Sequence, residues 1–400
     1  MATKTGTGFS SKIDSFLSGK EAAANAMAQI APLLPHLVLC FCSDKHDPQQ
    51  FLAGVRSQTG SAQVAGGAAF GVFTNTALSY EGYEGNVAVL SSDTISFKVL
   101  AQGGLNKNEY TAGAALADSI KAEQTGEEKG LILLYDSAKS AEPPLLNFAT
   151  PLCKAISERL DPSLPIVGGG VMANLTLTNC FQFYNEKVVT QHVLAILISG
   201  ECAFHDTIIH GCSPASSYKK ITRAEGPMLY EIENRPAVEV VDELLGDRSI
   251  NWSEYALYIT FGVNRGEKFG TFKEEEYANR VCLAVDEQQK AMVMFEPDLK
   301  AGDEVQLMAR SINLDYVENG IRNLKEKAAG NTPLFYFYIN CGGRMKSYAG
   351  TELEDVEAVQ RVIGTDVPLM GFYSGVEIAK VGGRLQPLDW TGVLCLLTEK

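Results

Sequence analysis

Positive charge is what this sequence is short of: 34 lysines and arginines face 48 aspartates and glutamates, for a formal net charge of −14. A chain of that sign repels phosphate backbones and acidic membranes, which excludes both as partners and leaves proteins and small molecules. Long apolar runs are missing as well. No stretch approaches the ~20 residues of a membrane-spanning helix, and the start, MATKTGTGFSSKIDSFLSGKEAAANAMAQ, lacks the apolar centre of a signal peptide. The expectation is a cytoplasmic protein. Nine cysteines are scattered over 400 residues, and Cys40, Cys42, Cys282 and Cys395 sit inside apolar runs. They read as small buried hydrophobes in a reducing compartment, not as a disulfide framework, and the Asn-x-Ser/Thr matches at Asn174 and Asn251 then carry no meaning. C-x-x-C-H is absent, so any haem would be held without covalent attachment.

What is present is enough apolar material, 46% of residues against 20% charged, for two or three packed domains without metals or disulfides. HLVLCFCS predicts a buried strand, DPQQFLAGVRSQTG a helix, and QVAGGAAFGVFT (63–74) a glycine-broken strand; GNVAVLSSDTISFKVL then alternates like a strand pair. The same order returns about a hundred residues later as GLILLYDS, PPLLNFATPLCKAISERL, PIVGGGVMA and a further strand region ending HVLAILISG. A third pass runs PLFYFYINCGG, TELEDVEAVQRVIG, PLMGFYSGVEI and TGVLCLL. Repeated units whose later strands are joined by short turns predict an α+β fold, with mixed and antiparallel sheets packed face to face and helices outside. Between the second and third copies lies a different, strand-rich region with a helix after Pro236 and an amphipathic helix at NLDYVENGIRNLKEKAAG. The expected division is an N-terminal helix and leader over 1–34, one domain over 35–220 and a second over 221–400.

Local motifs leave several chemistries open. GGAAFG and GGGVMAN follow strands but lack the Lys-Ser/Thr of a phosphate loop and the full G-x-G-x-x-G spacing, so these glycines serve close backbone approach to a packed sheet or to a ligand. Cys40-x-Cys42, with His36 and His46 nearby, has no second cysteine pair to complete a zinc site. ECAFHDTIIHGCSP gathers His205, Asp206, His210 and Cys212, from which a Cys-His nucleophile or a single axial imidazole could be drawn. In INCGGRMKSYAGTELEDVE, a strand runs into Cys341-Gly342-Gly343-Arg344 before an acid-opened helix. Arg344 either clamps a ligand carboxylate beside backbone amides or pairs with Glu352 or Glu354.

Taken together, these residues resemble a known family. GFYSGVEIA resembles the closing "GFYT-x-GEI" motif of FIST domains, INCGGR their "FSC-x-GR" motif, and LYEIENRPAVEVVDELLG the opening of the FIST C-terminal half. IIHGCSPASSYKKITRAEGPMLYEI is similar to the junction between the halves, and VGGG matches the N-terminal half, so the likeness covers about residues 35 to 397 in order. Gly375-Val376-Glu377 departs from it where Gly-Glu would be adjacent, as does Ala215-Ser216 after the junction proline. The resemblance implies a non-enzymatic cytoplasmic sensor of signal transduction that binds a small ligand such as an amino acid and regulates a partner histidine kinase, with homodimer formation left open. It implies ligand contacts at Cys341, Arg344, Gly371, Tyr373, Gly375 and Glu377, with Gly168 and Gly169 from the N-terminal half. Glu377 would receive an ammonium group and Arg344 hold a carboxylate. A nitric-oxide-sensing branch of the family binds haem, which makes haem b a candidate cofactor and His210 the candidate axial ligand. A cysteine-dependent hydrolase using Cys212 or Cys341 is the alternative of another class.

Overall fold

The computed structural model describes residues 3–80, 82–174, 176–178, 180–246 and 251–400. Its core is three copies of one unit. The first runs from strand Lys4–Ser10 through helix Ser15–Ile30, strand Leu37–Cys42, helix Pro48–Thr59 and strand Gln63–Ala68 to strand Gly85–Ser91. In space, Gln63–Ala68 lies parallel to Leu37–Cys42, Gly85–Ser91 runs antiparallel on the other side, and Lys4–Ser10 forms the edge. The second unit repeats this with strands Ile166–Val171, Glu128–Asp136, His192–Gly200 and Ile95–Gly103, and the third with Leu369–Ser374, Thr332–Cys341, Gly392–Glu399 and Cys202–Ile209. The α+β class with mixed sheets under helices is therefore the observed one.

Local chemistry starts the helices where they are needed. Asp14, Asp47 and Asn108 each accept a backbone N–H of the following first turn, and Glu354 with Glu357 forms a capping box on helix Asp355–Ile363. Each unit lays its helices on the outer face of its own sheet, over three separate apolar clusters. The inner faces of the three sheets point at one another and build the largest cluster, in which the Phe41 and Phe372 rings stack 4.1 Å apart across two units.

Short hairpins weld the units together by exchange. The first unit's hairpin, Val72–Thr74 with Leu78–Ser79, pairs with Leu369–Ser374 of the third. The second unit's, Gln182–Tyr184 with Lys187–Val189, pairs with Gln63–Ala68 of the first. The third unit's, Glu377–Val381 with Arg384–Leu388, pairs with Ile166–Val171 of the second. Each glycine-broken strand thus receives a hairpin from another unit, and the exchange closes in a ring around a pseudo-threefold axis.

The third unit is interrupted between its first strand and helix Asp315–Lys327 by an insert. Its strands Thr260–Asn264, Tyr277–Asp286, Ala291–Met294, Met228–Ile232, Lys219–Glu225 and Glu304–Arg310 pair antiparallel in that order, and the last pairs back to the first, closing a small barrel. Helix Ala237–Leu245 follows Pro236 as expected.

Three expectations change. The supposed leader contains strand Lys4–Ser10, whose register along Gly85–Ser91 completes the first sheet; Met1 and Ala2 lie outside the described residues. GNVAVLSSDTISFKVL is not a hairpin, because Gly85–Ser91 belongs to the first sheet and Ile95–Gly103 to the second. The boundary between residues 220 and 221 falls inside strand Lys219–Glu225, since the third unit draws on chain from both sides of the insert. Among the described residues no helix is long and apolar enough to cross a membrane.

Candidate functional site

The parallel strand pairs of all three units end together at the axis. Phe41 faces Gly67, Leu134 faces Gly169 and Ile339 faces Phe372 in equivalent registers, so Phe70, Met172 and Gly375 occupy equivalent positions just beyond. All three line one cavity of about 220 Å³. Phe70 and Met172 rest on bare backbone of the third unit: a Cβ on Gly342 would lie 2.7 Å from the Phe70 ring, and one on Gly375 2.7 Å from Met172 Cε. The glycines keep the wall open by being glycines. The insert closes the other side with Leu257, Tyr258, Val281, Phe295 and Arg310, and the loop carrying Asp389 and Trp390 lies at the seam.

Arg310 and Asp389 supply the cavity's less exposed charges, with the exposed carboxylate of Glu254 a further acid in the lining. The guanidinium stacks over the Trp390 ring at 3.3 Å from its centroid; Nε donates to Thr260 Oγ1 at 3.1 Å, and Nη2 donates to Leu257 O at 2.7 Å and to Thr260 Oγ1 at 2.9 Å. Nη1 has no partner among the described residues. Burial lowers the Arg310 pKa to about 10, well above neutral pH. One Asp389 oxygen accepts the Val281 N–H at 2.9 Å, while Oδ1 is buried without a partner among the described residues. Burial raises this carboxyl to about 6, with Arg280 opposing. Arg310 and Asp389 form no ion pair with each other, so the cavity holds a cation and an anion set apart. Trp390 itself sits at φ 51°, a left-handed conformation that costs a non-glycine residue roughly 1–3 kcal/mol and persists only when its surroundings enforce it.

Arg344 provides that enforcement and is not a ligand clamp. Nε and Nη2 both reach Asp355 Oδ2, at 3.0 and 2.9 Å; Nη1 donates to His210 O at 3.0 Å and Trp390 O at 3.1 Å, and Nη2 also to Tyr316 Oη at 3.0 Å. All five N–H groups are used and the side chain is buried, so none remains for a ligand carboxylate. Its expected partners Glu352 and Glu354 are replaced by Asp355.

Of the remaining expected contacts, Cys341 and Gly375 line the cavity and the rest are packed away from it. Glu377 is fully buried beside Ser374 Oγ at 2.6 Å and Thr391 N at 3.3 Å, and burial holds its carboxyl well above the usual range, which favours the protonated form over a receptor for ammonium. Tyr373 points into the helix layer and donates to Glu354. A Cβ on Gly371 would strike the Phe73 ring, one on Gly168 Leu133, and one on Gly169 Ile339, so these glycines serve sheet packing. Cys40 and Cys42 lie in the core under the first unit's helices.

His210 does not suit an axial ligand. Its Nδ1 accepts the Cys212 N–H at 2.9 Å and its Nε2 donates to Glu274 O at 3.0 Å, which fixes a neutral, buried ring whose pKa burial lowers. No nitrogen is left for iron, and the cavity is smaller than the ~300 Å³ at which drug-sized sites begin, so haem fits neither. The thiols are equally unprepared for nucleophilic work. Burial pushes Cys212 up to about 11 and Cys341 higher, and no histidine lines the cavity beside Cys341.

Sequence reasoning missed Arg310, Asp389, Trp390 and the equivalence of Phe70 with Met172. The only available signal was one of two tryptophans beside an aspartate, in a loop following a strand.

Comparison with known proteins places these features. Residues 36–235 match the FIST N domain and residues 237–380 the FIST C domain. An uncharacterized protein of Mycobacterium tuberculosis is 23% identical across 99% of this chain and 100% of its own length, and one of Methanocaldococcus jannaschii is 29% identical over 21% of this chain and 17% of its own. Among solved structures, cyanuric acid hydrolase from A. caulinodans aligns over 100% of both chains with 8% identity and a TM-score of 0.39, too low to carry an argument. With both halves matched in order, the chain belongs to the FIST family, whose domains are generally small-ligand sensors in signal transduction.

Proposed function

We propose that the cavity at the pseudo-threefold axis is the sensor's ligand site and that the ligand is a small zwitterion of the amino-acid class. The observation that carries this reading is the pairing of two unspent groups in one cavity, Arg310 Nη1 and Asp389 Oδ1. A ligand carboxylate satisfies the first and a ligand ammonium the second, while Phe70, Met172 and Phe295 receive the apolar part. Core and insert both contribute to the wall, so an occupant draws the two bodies together. That gives binding a mechanical consequence a partner can read; a histidine kinase is the partner class the family resemblance implies.

A thermal-shift and calorimetric panel of the twenty amino acids tests this, because a ligand selective for the folded state raises Tm by mass action. At least one should bind saturably at pH 7.5. Its affinity should fall as pH drops through about 6, where Asp389 takes up a proton, and Asp389→Asn should lose both the affinity and that pH dependence. No saturable shift with any amino acid, or undiminished binding by Asp389→Asn, overturns the assignment.

A further inference from the structure

A second cavity, of about 410 Å³, opens between helix Ala149–Ser157 and hairpin Glu377–Leu388 and shares no lining residue with the ligand site. Its acids are already committed. Asp298 is held by Arg280 through contacts of 2.7 and 2.5 Å, Asp161 accepts Ser163 N and Oγ at 2.7 and 2.8 Å, and Glu158 accepts Tyr110 Oη at 2.5 Å. Its donors are not. Among the described residues Gln386 Nε2 is buried without a partner, and so is Nε of Arg265, whose Cβ packs on Gly382 behind Gln386. Gln386 is 7% exposed, so water does not reach its amide freely. Arg384 lines the cavity and forms no ion pair among the described residues. Burial and the nearby Arg280 and Arg384 lower the Arg265 pKa, against the opposing carboxylates of Asp298 and Asp303.

Three cations and three acids line this space, and because the acids are engaged while Arg384 and the Gln386 amide are not, it asks for a ligand made of acceptors. We infer that this cavity is a binding site for a small oxyanion, a phosphate or polycarboxylate group, held by Arg384 and Gln386 with Arg265 behind them. Oxygen atoms satisfy the orphaned N–H groups, and the negative charge offsets the guanidinium repulsion. The ammonium of Lys380, which donates to Pro162 O and Leu164 O at 2.6 and 2.5 Å, stands at the rim with a further N–H to offer.

The test titrates inorganic phosphate, and separately citrate, into the purified full chain against sodium chloride at matched ionic strength, following Tm and heats of binding. One or both should raise Tm saturably beyond chloride, and the two arms separate phosphate from carboxylate recognition. Arg384→Ala removes an exposed side chain and leaves the unliganded Tm unchanged; it should weaken oxyanion binding at least tenfold, with Gln386→Leu as the second, buried variant. Amino-acid binding at the axial cavity should persist in Arg384→Ala, which separates this site from the first. Shifts no larger than those of chloride, or wild-type oxyanion affinity in both variants, would overturn the inference.

Discussion

Two arginines flank Trp390 and do opposite things. Arg344 sends all five donors into protein acceptors and holds the Trp390 carbonyl; Arg310 lies flat on the Trp390 ring and keeps Nη1 unspent. One builds the loop that the other uses. The lesson is that a guanidinium's role follows from its unsatisfied donors, whereas a motif such as INCGGR reveals only that an arginine matters.

The comparison can be broken most forcefully at Arg344. Arg344→Ala strands Asp355 in the core and frees the carbonyls of His210 and Trp390, so a loss of about 3–5 kcal/mol is expected in urea denaturation. A change below 1 kcal/mol would dissolve the contrast. Arg310→Ala should instead fold with little loss yet weaken ligand binding by about 1.5–3 kcal/mol, the worth of a charged hydrogen bond, measured by calorimetry. If it unfolds like Arg344→Ala, the two arginines do not differ in kind.

A subtler contrast concerns the seam. Glu296 of the insert is buried and accepts the N–H groups of Ala149 and Thr150, both at 2.8 Å, at the start of a core helix that lacks its own side-chain cap. Burial raises its pKa to about 8. A carboxyl whose pKa is higher folded than unfolded binds more protons in the folded state, so stability falls as pH rises from about 4.5 to about 8. Glu296→Gln should flatten most of that slope in Tm measured across the same window; an unaltered slope would remove Glu296 from the account. The smallest effect is expected at Gly375→Ala. Its Cβ presses on the flexible Met172 thioether, costing about 1 kcal/mol in stability and tightening the cavity against larger ligands first.

Much of the architecture was legible because it is written in composition. Glycine-broken strands at 63–74, 165–173 and 369–374, each after a helix, are enough to reveal three copies. The hairpin exchange was not legible: strands of two or three residues such as Leu78–Ser79 are too short to show a period, and their partners lie in another unit. Cys341 and Gly375 were found because they belong to motifs that also line the cavity. Glu377 and Arg344 belong to the same motifs but face inward, and nothing in a linear motif reports which way a side chain turns at the end of a strand. Arg310 and Asp389 sit at loop edges with no pattern around them, and only tertiary folding brings them together.

The ring of exchanged hairpins also limits how the molecule can be taken apart. A cut at the junction near residue 236 would leave strand Val72–Thr74 without Leu369–Ser374 to lie on, and strand Ile166–Val171 without its cover from Glu377–Val381. The first sheet stays whole in the N-terminal fragment, but the second and third sheets are both split, and the bare edges this leaves invite aggregation. The two matched domains are therefore halves of one cooperative body: they should appear and disappear together in evolution, expression and unfolding, and a fragment carrying either half alone should emerge as insoluble material.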